Sequence, residues 1–105
     1  LGVSKSTLSS FGAVSEETVK EMTRGSLLHL KTDYAIATSG IMGPGGGSPD
    51  KPSGTVWIAV SSQNATKTTK QFFRFDRERN IEMTAHAALT MLFRFILAQE
   101  GESTD

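Results

Sequence analysis

The residues with the clearest chemical potential lie in one run, Ser39-Gly40-Ile41-Met42-Gly43-Pro44-Gly45-Gly46-Gly47-Ser48-Pro49-Asp50-Lys51-Pro52. Glycines let backbone N–H groups approach a ligand closely, and successive N–H groups form a nest for an anion, so a phosphate or carboxylate can dock on such a loop. The run is not a P-loop: it lacks the Gly-Lys-Ser/Thr ending and leads into a strand rather than a helix, and it is no dinucleotide fingerprint either. Residues 40–54 hold six of the ten glycines and all three prolines, a density that excludes regular structure. A loop of this length is either ligand-lining or a flexible surface connection, and its prolines favour an ordered one.

A second candidate is Asp76-Arg77-Glu78-Arg79. Two readings stand side by side. Asp76 can be the N-cap of a solvated helix start, and Arg77 can anchor an anion, because a planar guanidinium grips phosphate in bidentate fashion. His29 and His86 have no second His, Asp or Glu at metal-ligand spacing, so both read as structural or surface residues and no metal is expected. Asn64-Ala65-Thr66 matches a glycosylation sequon, but with no secretory signal it reads as a turn. Met83 and Met91 read as helix packing. The chain contains no set of nucleophile, base and orienter, so these residues alone give no reaction.

The elements that must position these groups follow from periodicity. Residues 1–12 read as a short helical connector, with Ser4 as N-cap and Leu8 as its apolar anchor. Ser15 followed by Glu16 and Glu17 can cap a helix and complement its dipole, and Val14 and Val19 have the spacing of a hydrophobic staple. Val19, Met22, Ser26 and Leu30 continue one face, predicting a helix over 16–31. Residues 34–38 suit a buried strand. After the glycine loop, residues 55–60 and 71–75 read as two antiparallel strands around a polar turn at 61–66. From Arg77 to Gln99, Ile81, Ala85, Ala88, Leu92 and Phe95/Ile96 recur at helical spacing. Helix, strand, loop, hairpin and helix make a layered α/β fold with helices covering a sheet, in one domain spanning 1–105. Three strands leave much sheet edge exposed, so partner strands are expected from further sequence or another chain.

Composition bounds the partners. The 105 residues are 37% hydrophobic and 21% charged, with 11 Lys+Arg against 11 Asp+Glu. A net charge of zero and no dense basic cluster disfavour nucleic acid. The absence of cysteine excludes a disulfide scaffold, a thiolate metal site and a Cys nucleophile, and is compatible with a cytoplasmic protein. The apolar-rich stretch 89–98 contains Arg94 and falls far short of the ~20 residues that span a bilayer, so no membrane partner is expected. The apolar residues of the second helix, Leu89, Met91, Leu92, Phe93, Phe95, Ile96 and Leu97, exceed what one helix face needs, which predicts a homo-oligomer, a dimer first.

Three motifs carry a resemblance: Gly12-Ala13-Val14-Ser15-Glu16-Glu17-Thr18-Val19; Thr38-Ser39-Gly40-Ile41 with Gly43-Pro44-Gly45-Gly46-Gly47; and Lys51-Pro52-Ser53-Gly54-Thr55-Val56-Trp57-Ile58-Ala59. In this order they resemble the C-terminal domain of the competence/damage-inducible protein CinA, a family that also occurs as a stand-alone nicotinamide-nucleotide amidohydrolase. The match extends from Leu1-Gly2-Val3 through Asp76-Arg77 to Ala88-Leu89. Departures are Met42 where alanine is common, Ser53 where valine is common, and Phe75 where glycine usually precedes the aspartate-arginine pair.

The resemblance implies a three-layer α/β/α sandwich with a mixed sheet. It implies hydrolysis of the carboxamide of nicotinamide mononucleotide to nicotinate mononucleotide and ammonia, without a cofactor, in pyridine-nucleotide recycling. The family's serine nucleophile and the tyrosine and lysine thought to activate it would precede Leu1, so this portion alone is expected to be inactive. Arg77 would pair with phosphate or polarise the substrate, and Ser39, Gly40, Gly43, Gly45, Gly46 and Gly47 would bind the nucleotide. The competing expectation is a non-catalytic nucleotide-binding or assembly module derived from the same fold.

Overall fold

The computed structural model describes residues 3–7, 12, 14–41 and 54–102. Its elements are helix α1 (Glu16–Leu30), strands β1 (Tyr34–Gly40), β2 (Thr55–Ser62) and β3 (Thr66–Phe72), and helix α2 (Arg77–Glu102). Residues 5–7 form a helical turn ahead of them, capped as expected by Ser4, whose Oγ accepts from the Thr7 N–H at 3.1 Å. Leu8 lies outside the described residues.

Helix α1 starts where its cap dictates. The Ser15 hydroxyl accepts from Thr18 N–H at 3.2 Å, with Glu16 and Glu17 in the first turn. It ends one residue early, because Lys31 turns left-handed (φ 54°) and its N–H closes on the Leu27 carbonyl at 3.0 Å in the geometry of a helix C-terminus. The buried face runs through Thr18, Val19, Thr23, Gly25 and Leu27. Leu30, expected on that face, is exposed.

The sheet has strand order β1-β2-β3, with both pairings antiparallel. Successive side chains alternate between its faces. Val19 of α1 packs with Ala37 and Ala59 beside Met22 and Trp57. On the other face Val56 and Ile58 meet Ala88 of α2, beside Ile36, Phe73, Ala87 and Met91. The helices thus cover opposite faces, giving three layers. The mixed sheet implied by the resemblance is not seen among the described strands. β2 and β3 are joined by a turn too short for the crossover a parallel pair needs.

Several boundaries differ from expectation: β1 runs on to Gly40 and β2 to Ser62, each two residues longer than read from sequence. β3 begins at Thr66 and ends at Phe72, not at 71–75, because Ser61 pairs with Thr66 and Ser62 N–H reaches the Ala65 carbonyl at 2.8 Å, leaving a tight turn. Thr66 falls in the expected turn and Lys67-Thr68-Thr69-Lys70 carries no apolar strand signal, because an edge strand with one lightly covered face need not be apolar. In α2 the face against the sheet is Asn80, Thr84, Ala88 and Phe95, all buried, whereas Ile81 and Ala85 are exposed. Two of the most buried residues near its start are therefore polar. By length and composition alone α2 would also suffice to cross a membrane.

Candidate functional site

The glycine loop leaves from the carboxyl end of β1, where Ser39 and Gly40 are half-buried and pair with Trp57 and Val56. Its two feet are fastened to each other. Ile41 N–H donates to the Thr55 carbonyl at 2.9 Å, and Gly54 N–H donates back to the Ile41 carbonyl. Gly54 has φ +95°, a backbone that L side chains rarely adopt, and a Cβ there would collide with the Phe73 carbonyl oxygen. The Gly54 carbonyl accepts from Phe73 N–H at 3.0 Å. One glycine therefore ties the returning foot both to β1's end and to the chain leaving β3. Gly43, Gly45, Gly46 and Gly47 lie outside the described residues.

That second tie matters because Phe73 opens the bend leading to Arg77. Asn80, 2% exposed, turns its side-chain Oδ1 back to accept from Phe75 N–H at 3.0 Å. Asp76 Oδ1 accepts from Arg79 N–H at 2.9 Å, the N-cap expected from sequence. The Asn80 N–H meets the Asp76 carbonyl at 2.8 Å, and the Thr84 hydroxyl donates to the Asn80 carbonyl at 2.7 Å. Arg77 thus begins α2 on a bend locked from beneath, with its own side chain exposed. Among the described residues its guanidinium has no hydrogen-bond or ionic partner.

The flanking arginines are occupied differently. The Arg74 guanidinium lies 4.7 Å from the Phe72 ring centroid and that of Arg79 lies 4.9 Å from Phe75, while Lys70 sits 5.8 Å over Trp57. These are cation–π stacks. Phe75, where the resemblance leads one to expect glycine, supplies the platform for Arg79, and its φ is not left-handed, so the exchange carries no backbone strain. The loop feet and the start of α2 stand at one end of the sheet, since on β2 Val56 pairs with Gly40 at the end of β1 and the adjacent Thr55 pairs with Phe72 at the end of β3. Positive charge from Arg74, Arg77 and Arg79 gathers there, with Asp76 and Glu78 beside it.

Sequence reasoning missed Asn80. Its only signal is position, four residues past Asp76, and a buried amide cannot be told from a surface one without knowing which way the helix faces. His86 lines a groove of about 390 Å³ between β3 and α2, with Lys67, Thr69, Gln71, Thr90 and Arg94 among its neighbours. That groove contains none of the expected site residues. His29 is exposed, and no cluster able to hold a metal occurs among the described residues. Among the described residues two groups have shifted ionisation, Glu21 and Tyr34, both away from the feet of the loop. The Glu21 carboxyl is lowered, first by the Thr7 hydroxyl and then by Ser4 N–H. The Tyr34 phenol is raised, first because it donates to Glu100, at 2.8 Å.

Comparison with known proteins agrees with this fold. Residues 1–96 match the CinA C-terminal domain. A CinA-like protein of Leptospira interrogans (serogroup Icterohaemorrhagiae, serovar copenhageni) is 46% identical over 94 residues, covering 89% of this chain and 22% of that protein. One from Desulforapulum autotrophicum is 46% identical over 102 residues, 96% of this chain and 24% of its own length. The chain thus spans about a quarter of these relatives. Among solved structures, a CinA superfamily protein of Escherichia coli superposes with TM-score 0.86 at 34% identity, over 90% of this chain and 55% of that one. The competence/damage inducible protein of Agrobacterium tumefaciens gives 0.85 at 38%, over 90% and 58%. With its motifs, its layers and these relatives in agreement, the chain belongs to the CinA C-terminal domain family.

Proposed function

We propose that this chain forms the nucleotide-binding part of an amidohydrolase that converts nicotinamide mononucleotide to nicotinate mononucleotide and ammonia. One observation carries the reading: the fastened feet of a glycine loop share one end of the sheet with Arg77, whose guanidinium has no partner among the described residues. A mononucleotide needs an anion-binding backbone and a cation for its phosphate, and ligands of open α/β sheets bind at the carboxyl ends of strands.

The chemistry divides between this portion and the rest of the domain. A serine oxygen attacks the carboxamide carbon, the C–N bond breaks, and the amine leaves as ammonia after taking a proton. Water then opens the acyl ester to the carboxylate. That sequence needs a base for the serine proton and donors for the oxyanion. The resemblance assigns nucleophile and base to sequence before Leu1; the backbone N–H groups of the glycine loop and Arg77 hold the phosphate and fix the ring.

The test is ammonia release from nicotinamide mononucleotide by the full-length encoded protein, with nicotinamide riboside, which lacks the phosphate, as comparison. The expected result is turnover of the mononucleotide and a much higher KM for the riboside. Equal KM values would remove the phosphate role, and no ammonia from either would remove the reaction.

A further inference from the structure

Helix α2 packs on β1 and β2, and the same face of β3 stands beside it as one wall of the groove of about 390 Å³. Lys67, Thr69 and Gln71 are the β3 residues on that face, because their cross-strand partners Val60, Ile58 and Val56 include the two that meet Ala88 of α2. The helix supplies the opposite wall with Met91, Arg94 and Ala98, and the buried Phe95 ring forms the floor. The volume lies in the range of small-molecule sites, about 300–1,000 Å³.

The charge of this groove has one sign. Its lining contains the cations Lys67 and Arg94 and the imidazole of His86, and no Asp or Glu. None of these three has a hydrogen-bond or ionic partner among the described residues. The helix row His86, Thr90 and Arg94 is continued by Glu82, which stays outside the lining. Cations without a carboxylate of their own, set beside an apolar floor, are complementary to an anion that carries an apolar body.

The direction of α2 fixes which end holds the charge. Ala88 meets Val56 and Ile58, and farther along the helix Gln99 Oε1 accepts from the Ser62 hydroxyl at 3.3 Å, so α2 runs antiparallel to β3. The four-residue step from Gln71 back to Lys67 and the eight-residue step from His86 to Arg94 both span about 12–13 Å. Gln71 and His86 therefore stand at one end, Lys67 and Arg94 at the other, and Met91 and Phe95 between them. We propose that this groove binds a small carboxylate with an apolar tail, its headgroup held by Lys67 and Arg94 and its tail laid over Met91 and Phe95. The inference is independent of the reaction proposed above, since none of these residues takes part in it.

The test titrates the full-length encoded protein with anilinonaphthalene sulfonate, an anionic aromatic probe that fluoresces in apolar grooves, and then displaces it. Octanoate is expected to displace the probe at least about tenfold better than octanol, which lacks the charge, or acetate, which lacks the chain. Lys67→Gln and Arg94→Gln, both at exposed positions, are each expected to weaken octanoate about tenfold. Ala98→Trp, which fills the groove and keeps its charge, is expected to abolish binding, whereas Leu89→Gln, in the neighbouring trough, is expected to leave it unchanged. Octanol or acetate displacing as well as octanoate overturns the proposal, as does indifference to both Lys67→Gln and Arg94→Gln, or a loss in Leu89→Gln as large as in Ala98→Trp. A full-length protein that binds no probe overturns it too, by showing that further chain covers the groove. Recruitment to phosphatidylglycerol vesicles without displacement by free octanoate overturns it in favour of a membrane surface.

Discussion

Replacing Gly54 by alanine is expected to damage the fold far more than one methyl group suggests. At φ +95° an L residue is strained, and the new Cβ would run into the Phe73 carbonyl oxygen. Holding a non-glycine residue in a left-handed backbone costs about 1–2 kcal/mol. Relieving the collision requires Gly54 and Phe73 to separate, which breaks the 3.0 Å bond from Phe73 N–H to the Gly54 carbonyl and disturbs that from Gly54 N–H to Ile41. Each net hydrogen bond lost costs about 0.5–1.5 kcal/mol. The expected destabilisation is therefore about 2–5 kcal/mol, and at roughly 4–8 °C per kcal/mol for a domain of this size the Tm falls by at least about 8 °C. Gly101→Ala is the control: nothing lies within 4 Å of its added Cβ, and a helical glycine replaced by alanine is expected to leave stability unchanged or raise it by up to about 1 kcal/mol. Thermal unfolding followed by circular dichroism reads both. A Gly54→Ala protein melting within about 2 °C of the parent would refute the claim that this glycine fastens the loop.

Arg77→Ala is expected to leave the Tm unchanged, since the side chain is exposed, while lowering kcat/KM for nicotinamide mononucleotide ten- to a hundredfold in the full-length protein, the worth of one charge-assisted contact at about 1.5–3 kcal/mol; an unchanged rate removes Arg77 from the site. Asn80→Ala is expected to cost about 1–3 kcal/mol in urea unfolding, because it leaves the Phe75 N–H without its acceptor in a part-buried place; a loss under about 0.5 kcal/mol would show the bend holding itself. Glu21 is lowered below its ordinary value of 4.5, so its contribution is complete above that value and is lost as pH falls through the lower folded pKa. Glu21→Gln is accordingly expected to flatten the acid limb of the stability curve below pH 4.5, and an unchanged limb counts against the Thr7–Glu21 contact. Amide hydrogen exchange is expected to be fast at the β1 N–H groups that do not bond β2, and slow there in a longer chain that adds a neighbouring strand.

What the sequence made legible follows from how each signal arises. Caps are local, so Ser15 and Asp76 could be read directly, and both act as expected. The glycine run stands out by density alone, and β1 delivers the chain to it at Ser39 and Gly40. Apolar spacing points to the wrong face of α2. Ile81 and Ala85 continue the pattern but point outward, while Asn80 and Thr84 point inward, since their polar atoms satisfy the bend and the helix backbone. A hydrophobic pattern cannot reveal a buried polar group whose partner is a backbone amide several residues away. The β3 boundary failed for a related reason: pairing with Ser61 defines Thr66 as strand, and pairing is not a local property.

The two outer strands meet solvent on different terms. β3 carries Lys67 and Lys70, the charges by which edge strands resist further pairing. β1 has no charged residue from Tyr34 to Gly40, and its composition is that of a strand with neighbours on both sides. The sheet is thus finished on one side and chemically open on the other. The solved relatives, of which this chain covers 55–58% in the two compared above, contain further chain that can supply the missing neighbour. A strand added beside β1 would bring its own end level with Ser39 and Gly40, across the end of the sheet from the chain that leaves β3 for Arg77. The open edge and the foot of the glycine loop therefore share the same strand, and under the function proposed above a neighbour beside β1 is the element from which a nucleophile would reach that end of the sheet.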